Sequence, residues 1–227
     1  MKDLTTIGLP SKGRLKESVL NLLKKNNLKL TSKGGDRDYF ANLDNLPNTQ
    51  VIYLHTREII ERLGDGTLDI GISGLDLLNE SAISLQKRIE ITKKLDFGKA
   101  NLVIAVPNDW IDVQTIADLE EISFYFRDKK NLRLRVATKY PNLTNNFLTT
   151  KGITQYKIVS SLGATETYPF TGSSEIITDI TSTGSTLKAN NLRALKDGTI
   201  LKSQACVLIS KKNKKKAARS GLSKSFF

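Results

Sequence analysis

Residues 51–74, VIYLHTREIIERLGDGTLDIGISG, set a strand, a helix and a second strand in succession. VIYLH is a short run rich in β-branched and aromatic residues, and so reads as a strand. From Thr56 to about Leu63 the apolar residues Ile59, Ile60 and Leu63 recur at helical spacing. Thr56, followed by Glu58 and Glu61, predicts a capping box at the start of that helix. GDGTLDIGISG then gives a tight turn, a buried strand and a glycine break. The same alternation continues outward. TTIGLP at 5–10 is strand-like, Leu15–Lys25 is helical, and Leu75–Asn79 predicts a further helix. ITKKLDFGKANLVIAVP at 91–107 has two apolar runs parted by a glycine turn. RLRVATKYPNLTNNFL at 133–148 gives strand, loop and helix, and YKIVSSLGATE at 156–166 gives a strand and a turn. The segment from Asp109 to about Asp128, with Trp110 and the FYF cluster at 124–126, reads as a helix with a surface excursion. The alternation predicts α/β architecture.

The chain has 227 residues, of which 39% are hydrophobic and 26% charged, so it can bury a core as one large or two small domains. No run approaches the roughly 18 apolar residues that cross a bilayer. The opening MKDLTTIGLPSKGR turns polar too early for a signal peptide, so a cytoplasmic location without membrane contact is expected. Cys206 is the single cysteine, which excludes an internal disulfide and any multi-cysteine metal site, and its apolar neighbours in QACVLIS predict a buried, unreactive thiol. His55, the only histidine, has no Gly-x-Ser-x-Gly elbow to support a triad and is read as structural.

The formal charge of +12 suits nucleic acid, an anionic surface or small polyanionic substrates. Much of the excess lies in KKNKKKAAR at 211–219, which is expected to be a solvated, partly disordered end. No zinc-finger spacing, RNP1 motif or KH-type clamp accompanies it, so nucleic acid is not an expected partner.

The stretch that carries chemistry is SEIITDITSTGSTLKANNLR, 174–193. A strand runs into a loop holding one glycine and the hydroxyls of Ser182, Thr183, Ser185 and Thr186, and STLKAN opens a helix. Free amides of a first helical turn, the helix dipole and the missing side chain of Gly184 together suit a phosphate. The loop has neither the lysine of a Walker A motif nor the three glycines of a dinucleotide fingerprint. An ordinary Ser/Thr-rich N-cap turn fits the same residues. Asp179 stands just before the loop. Beside a phosphate, a carboxylate has to serve hydrogen-bond donors or positive charge, such as sugar hydroxyls or Mg²⁺. Glu166, in the turn GATE, offers a second carboxylate if the two strand ends lie side by side. That is the logic of a ribose-5-phosphate site.

DITSTGSTLKANNLR, GATE, ATKYPNLT, KLDFGKANLVIAVP and the N-terminal SKGRL, which span residues 11–193, resemble the ATP phosphoribosyltransferase family in sequence and in order. The chain is similar to that family's short form, which lacks a C-terminal histidine-binding domain. The resemblance implies two α/β domains of the periplasmic-binding-protein-like (type II) fold with an interdomain cleft, domain I comprising residues 1–98 and 181–227 and domain II residues 99–180. It implies a glycosyltransferase that moves the phosphoribosyl group of phosphoribosyl diphosphate to N1 of ATP and releases pyrophosphate, the first step of histidine biosynthesis. Phosphoribosyl diphosphate would be held by Glu166 and Asp179 on the ribose and by Ser182, Thr183, Gly184, Ser185 and Thr186 on the 5-phosphate. Lys12, Gly13 and Arg14 would meet phosphate groups, and Asp96 and Tyr140 would line the nucleotide side. Mg²⁺ would arrive on the substrate, with no protein-bound metal. The expected partner is a regulatory subunit resembling histidyl-tRNA synthetase, in a hetero-oligomer.

Overall fold

The computed structural model describes residues 4–32 and 39–220. The chain divides into two compact units, residues 1–98 with 204–227, and residues 99–203.

The first unit opens with β1 (Thr5–Pro10), α1 (Gly13–Lys25), β2 (Leu30–Thr31), β3 (Phe40–Leu43), β4 (Thr49–Leu54), α2 (Thr56–Asp65) and β5 (Ile70–Gly74). The short helices α3 (Leu75–Glu80) and α4 (Ile83–Gln86) and the strand β6 (Ile89–Lys94) follow. The second unit comprises β7 (Ala100–Pro107), α5 (Ile116–Lys130), β8 (Leu134–Thr138), α6 (Pro141–Thr150), β9 (Tyr156–Ser160), β10 (Ile176–Thr181), α7 (Ser185–Ala189) and β11 (Leu192–Ser203). The chain then returns to the first unit with β12 (Ala205–Ser210) and α8 (Lys214–Arg219).

In the first unit the sheet order is β2-β3-β4-β1-β5-β12-β6. β1 runs parallel to β4 and β5, and β12 is antiparallel to both its neighbours. Both faces are covered. Val207 joins the core of Ile7, Leu9, Val19 and Leu23, whereas Cys206 and Leu208 join that of Ile59, Ile60 and Leu63 on the other side. This two-sided burial is why QACVLIS is apolar without alternation. Burial pushes the Cys206 thiol up, in keeping with an inert structural cysteine.

In the second unit the order is β11-β7-β10-β8-β9. β8 is parallel to β9 and β10, and β7 is antiparallel to β10 and β11. One face carries Ile104, Val136 and Ile176 with Leu119 and Phe126 of α5 and Leu148 of α6. The other, smaller core carries Val103, Ala105, Ala137 and Ile177 with Leu187 of α7. At the entry of the β8–β10 pair, Glu175 accepts hydrogen bonds from the Arg135 backbone N–H at 2.6 Å and from its Nε at 3.0 Å. That clamp fixes the register of the two strands.

Four expectations need correction. The return to the first unit comes at Gln204, not near 181, because β10 is the central strand of the second sheet and β11 pairs along β7. Helix α2 is capped by His55, whose Nδ1 accepts from Arg57 N–H at 3.3 Å, and Thr56 already lies inside the helix. The capping box belongs to α5, between Thr115 and Asp118. That helix absorbs the FYF cluster: Phe126 is buried, while Phe124 and Tyr125 face outward. Finally, 211–219 is not a loose end. Ala217 is fully buried in the first unit's core, and Lys216 Nζ lies 2.9 Å from Asp69, a carboxylate that is 1% exposed. Asp69 also accepts from Thr6 N–H at 2.7 Å, so the basic segment is tied to β1 and β5. Residues 221–227 of the tail lie outside the described residues.

Candidate functional site

The C-terminal ends of β8 and β10 carry the clearest assembly of polar groups. Parallel strands place ligands at these ends. Along β10, Ile177 points into the smaller core, so Asp179, two residues on, leaves the strand on the same face. Burial pushes the Asp179 carboxyl above the usual carboxylate range. The Ile180 N–H, which donates to Asp179 Oδ1 at 2.9 Å, and the charge of Lys139 pull it back, and the charge of Glu166 pushes it further up. Glu166 lies in a 3₁₀ turn, Thr165–Thr167, that packs on β10. The two strand ends are not side by side, since β8 lies between β9 and β10; the 3₁₀ turn itself reaches back to β10 and brings the Glu166 charge to bear on Asp179. The turn is held by Ser161 and Thr165, whose hydroxyls meet at 2.8 Å. Ala164 before it adopts φ 42°, a left-handed conformation that costs a residue with a Cβ about 1–2 kcal/mol. Such strain collects where position matters.

The loop after β10 is exposed at Ser182, Thr183, Ser185 and Thr186. Gly184 has φ 75°, and a Cβ built there would meet nothing within 4 Å. Glycine is thus required by the backbone, and the space before it is open. The loop partly satisfies itself. Thr181 Oγ1 accepts from Gly184 N–H at 2.9 Å, Thr183 Oγ1 accepts from Ser185 N–H at 3.3 Å, and Thr183 donates to Ser185 Oγ at 2.9 Å. The amides of Thr186 and Leu187, in the first turn of α7, precede any intrahelical acceptor. α7 has five residues, so its dipole is small, and recognition rests on amides and hydroxyls. Tyr140 is buried at the head of α6, with its N–H bonded to Thr138 Oγ1 at 2.9 Å.

The remaining predicted residues belong to the first unit. Lys12, Gly13 and Arg14 are exposed where β1 passes into α1. Gly13 has φ 76°, Lys12 is an N-cap without a side-chain bond, and no acidic residue occupies the first turn. Basic residues at a helix N-terminus oppose its dipole, so a bound anion would relieve the conflict. Asp96 is exposed in the turn after β6. A Cβ on nearby Gly98 would come within 3.5 Å of Leu15 Cδ1, which sets this turn beside the start of α1.

Lys139 was missed. It sits inside ATKYPNLT, but its significance depends on strand register, which that stretch does not contain. Among the described residues no cluster of three or more His, Cys, Asp or Glu side chains suited to a metal is found. No helix among them is long and apolar enough to cross a membrane.

Residues 55–225 match the protein family described as ATP phosphoribosyltransferase. An ATP phosphoribosyltransferase of Mesorhizobium japonicum is 47% identical over 210 residues, covering 92% of this chain and 90% of that protein. One from Nitrobacter winogradskyi is 46% identical over 211 residues and longer, since the match covers 93% of this chain and 65% of that protein. The fold is similar to a solved ATP phosphoribosyl transferase (HisG:HisZ) complex of Thermotoga maritima, with TM-score 0.73 and 24% identity over 98% of this chain and 96% of that one. It is also similar to an amino-acid ABC transporter extracellular-binding protein of Bacillus subtilis, with TM-score 0.55 and 13% identity over 97% and 90%. The periplasmic-binding-protein type of fold implied by the resemblance is thus shown by structural likeness.

Proposed function

Because this chain belongs to the ATP phosphoribosyltransferase family, we propose that it transfers the phosphoribosyl group of phosphoribosyl diphosphate to N1 of ATP and releases pyrophosphate, opening histidine biosynthesis in the cytoplasm. The observation that carries this reading is the pairing of Asp179 and Glu166 beside the glycine turn 182–186. Two carboxylates accept the ribose hydroxyls, and the turn's amides and hydroxyls receive the 5-phosphate.

The reaction forms the bond from N1 of adenine to the anomeric carbon as the bond to the diphosphate oxygen breaks, with inversion. The electron pair of the broken bond leaves on pyrophosphate. Mg²⁺ carried by the diphosphate supplies charge neutralisation on the leaving group. The chain contributes position: both ends of the ribose phosphate are held, so the anomeric carbon is presented in line. Lys12 and Arg14 face phosphate oxygens, lysine as a point charge and arginine through a bidentate fork. Asp96 and Tyr140 serve the nucleotide. We assign no nucleophile, because the attacking atom belongs to ATP.

The Thermotoga complex supports a partner of the HisZ kind, in a hetero-oligomer. The test is pyrophosphate release from ATP and phosphoribosyl diphosphate, with and without that partner. Release that needs both substrates supports the reading, and no release even with the partner removes it.

A further inference from the structure

The geometry at the ends of β8 and β10 points to Lys139 as a positioning residue for the sugar site, one whose ammonium keeps the Asp179 carboxylate available to accept ribose hydroxyls beside Glu166. The inference rests on the functional reading above and adds a residue to it.

Register is the first support. Ala137 lies opposite Ile177, and Thr138 opposite Thr178, in the parallel pair β8–β10. Ala137 and Ile177 share the smaller core beneath α7. Side chains two apart on a strand share a face. One step beyond the last pair, Lys139 leaves the end of β8 next to Asp179, near enough for its charge to act on that carboxyl. The Arg135–Glu175 clamp at the other end of the pair holds this register.

Electrostatic need is the second. Two carboxylates close enough to grip one ribose repel each other, and half-burial of Asp179 adds to the tendency to take up a proton. A protonated carboxyl loses acceptor capacity just where hydroxyls must be bound. The charges acting on Asp179 are Lys139 from the end of β8 and Glu166 from the 3₁₀ turn. From β7 the residue opposite Asp179 is the apolar Val103, and the one charged residue of α7, Lys188, is exposed. Lys139 is thus the cation that, beside the larger pull of the Ile180 N–H, works against burial and the second carboxylate.

The test follows the titration directly. Asp179 accepts with both oxygens and most strongly when ionised, so affinity for phosphoribosyl diphosphate should fall as pH drops through its raised pKa. Removing the ammonium raises that pKa again. In Lys139→Met the acid limb of affinity, measured by calorimetry, and of kcat/KM should move to higher pH by about one unit. Near that limb affinity should drop about tenfold. Lys139→Arg should restore the limb, Lys188→Met should leave it in place, and Glu166→Gln should move it to lower pH. A carbon-detected NMR titration of the Asp179 carboxyl in the substrate-free chain should show the same shifts. A folded Lys139→Met that binds phosphoribosyl diphosphate with an unmoved acid limb overturns the inference. Failure of the wild-type chain to bind phosphoribosyl diphosphate, with the Asp179 titration still responding to Lys139, would overturn the functional reading instead.

Discussion

Two glycine turns in this chain share a backbone and differ in chemistry. Gly13 and Gly184 adopt φ 76° and 75°, each opens a helix without a side-chain N-cap bond, and a Cβ at either would meet nothing within 4 Å. The first turn is charged and heads the 13-residue α1, with Lys12, Arg14 and Lys16 all opposing its dipole. The second has no charge of its own between Ser182 and Thr186, heads five residues, and is flanked by carboxylates. The difference separates two ways of holding an anion. A cluster of exposed cations attracts at a distance and tolerates movement. A neutral cradle of amides and hydroxyls attracts little from afar but fixes atoms, as the sugar at the reacting carbon requires.

The largest expected effect tests whether the two turns stand on independent supports. A chain truncated after Ser210 loses Ala217 from the first unit's core and leaves Asp69 buried without Lys216. The first unit should lose about 3 kcal/mol, so hydrogen exchange should speed up in β1 and α1 while β10 keeps its protection. Equal loss in both units would break the separation. Next, Gly184→Val forces a β-branched residue into the left-handed region, at about 1–3 kcal/mol. Affinity for phosphoribosyl diphosphate should fall tenfold or more at any ionic strength, as read by calorimetry. Replacing Lys12 and Arg14 together by Ala should lower kcat/KM about tenfold at low salt and clearly less at physiological salt. A salt-independent loss would mean that these cations also fix geometry. The smallest effect is the most pointed. Lys12→Ser supplies the missing N-cap and should raise stability by about 0.5–1 kcal/mol in thermal unfolding while lowering activity. Reduced stability would show that the charged turn is not under the strain inferred for it.

Local patterns carried the sequence reading where local physics decides the structure. The apolar stripe Ile59, Ile60 and Leu63 and the run around Cys206 led directly to α2 and β12, because burial on one or both faces leaves its period in the sequence. The turn at Gly184 was legible because hydroxyls, glycine and helix start are contiguous. Long-range pairing was not. Nothing within DITSTG tells that β10 becomes a central strand, so the return of the chain was placed at 181 rather than 204. Lys139 acquires meaning only from β8–β10 register. The lysine run at 211–219 looked solvated because its charges outnumber its one anchoring alanine, and the carboxylate that receives Lys216 is Asp69, far off in the chain.

The place of β12 in the first sheet governs the order in which the two units can close. It lies between β5 and β6, yet the whole of residues 99–203 is synthesised before it. Until residue 210 has left the ribosome, β5 and β6 have no strand between them and each presents an open edge. The second unit, contiguous in sequence, can close first even though it starts later. A nascent chain with residues up to 203 clear of the ribosome would thus hold a finished second unit, with its hydroxyl turn formed, joined to a first unit still missing an interior strand.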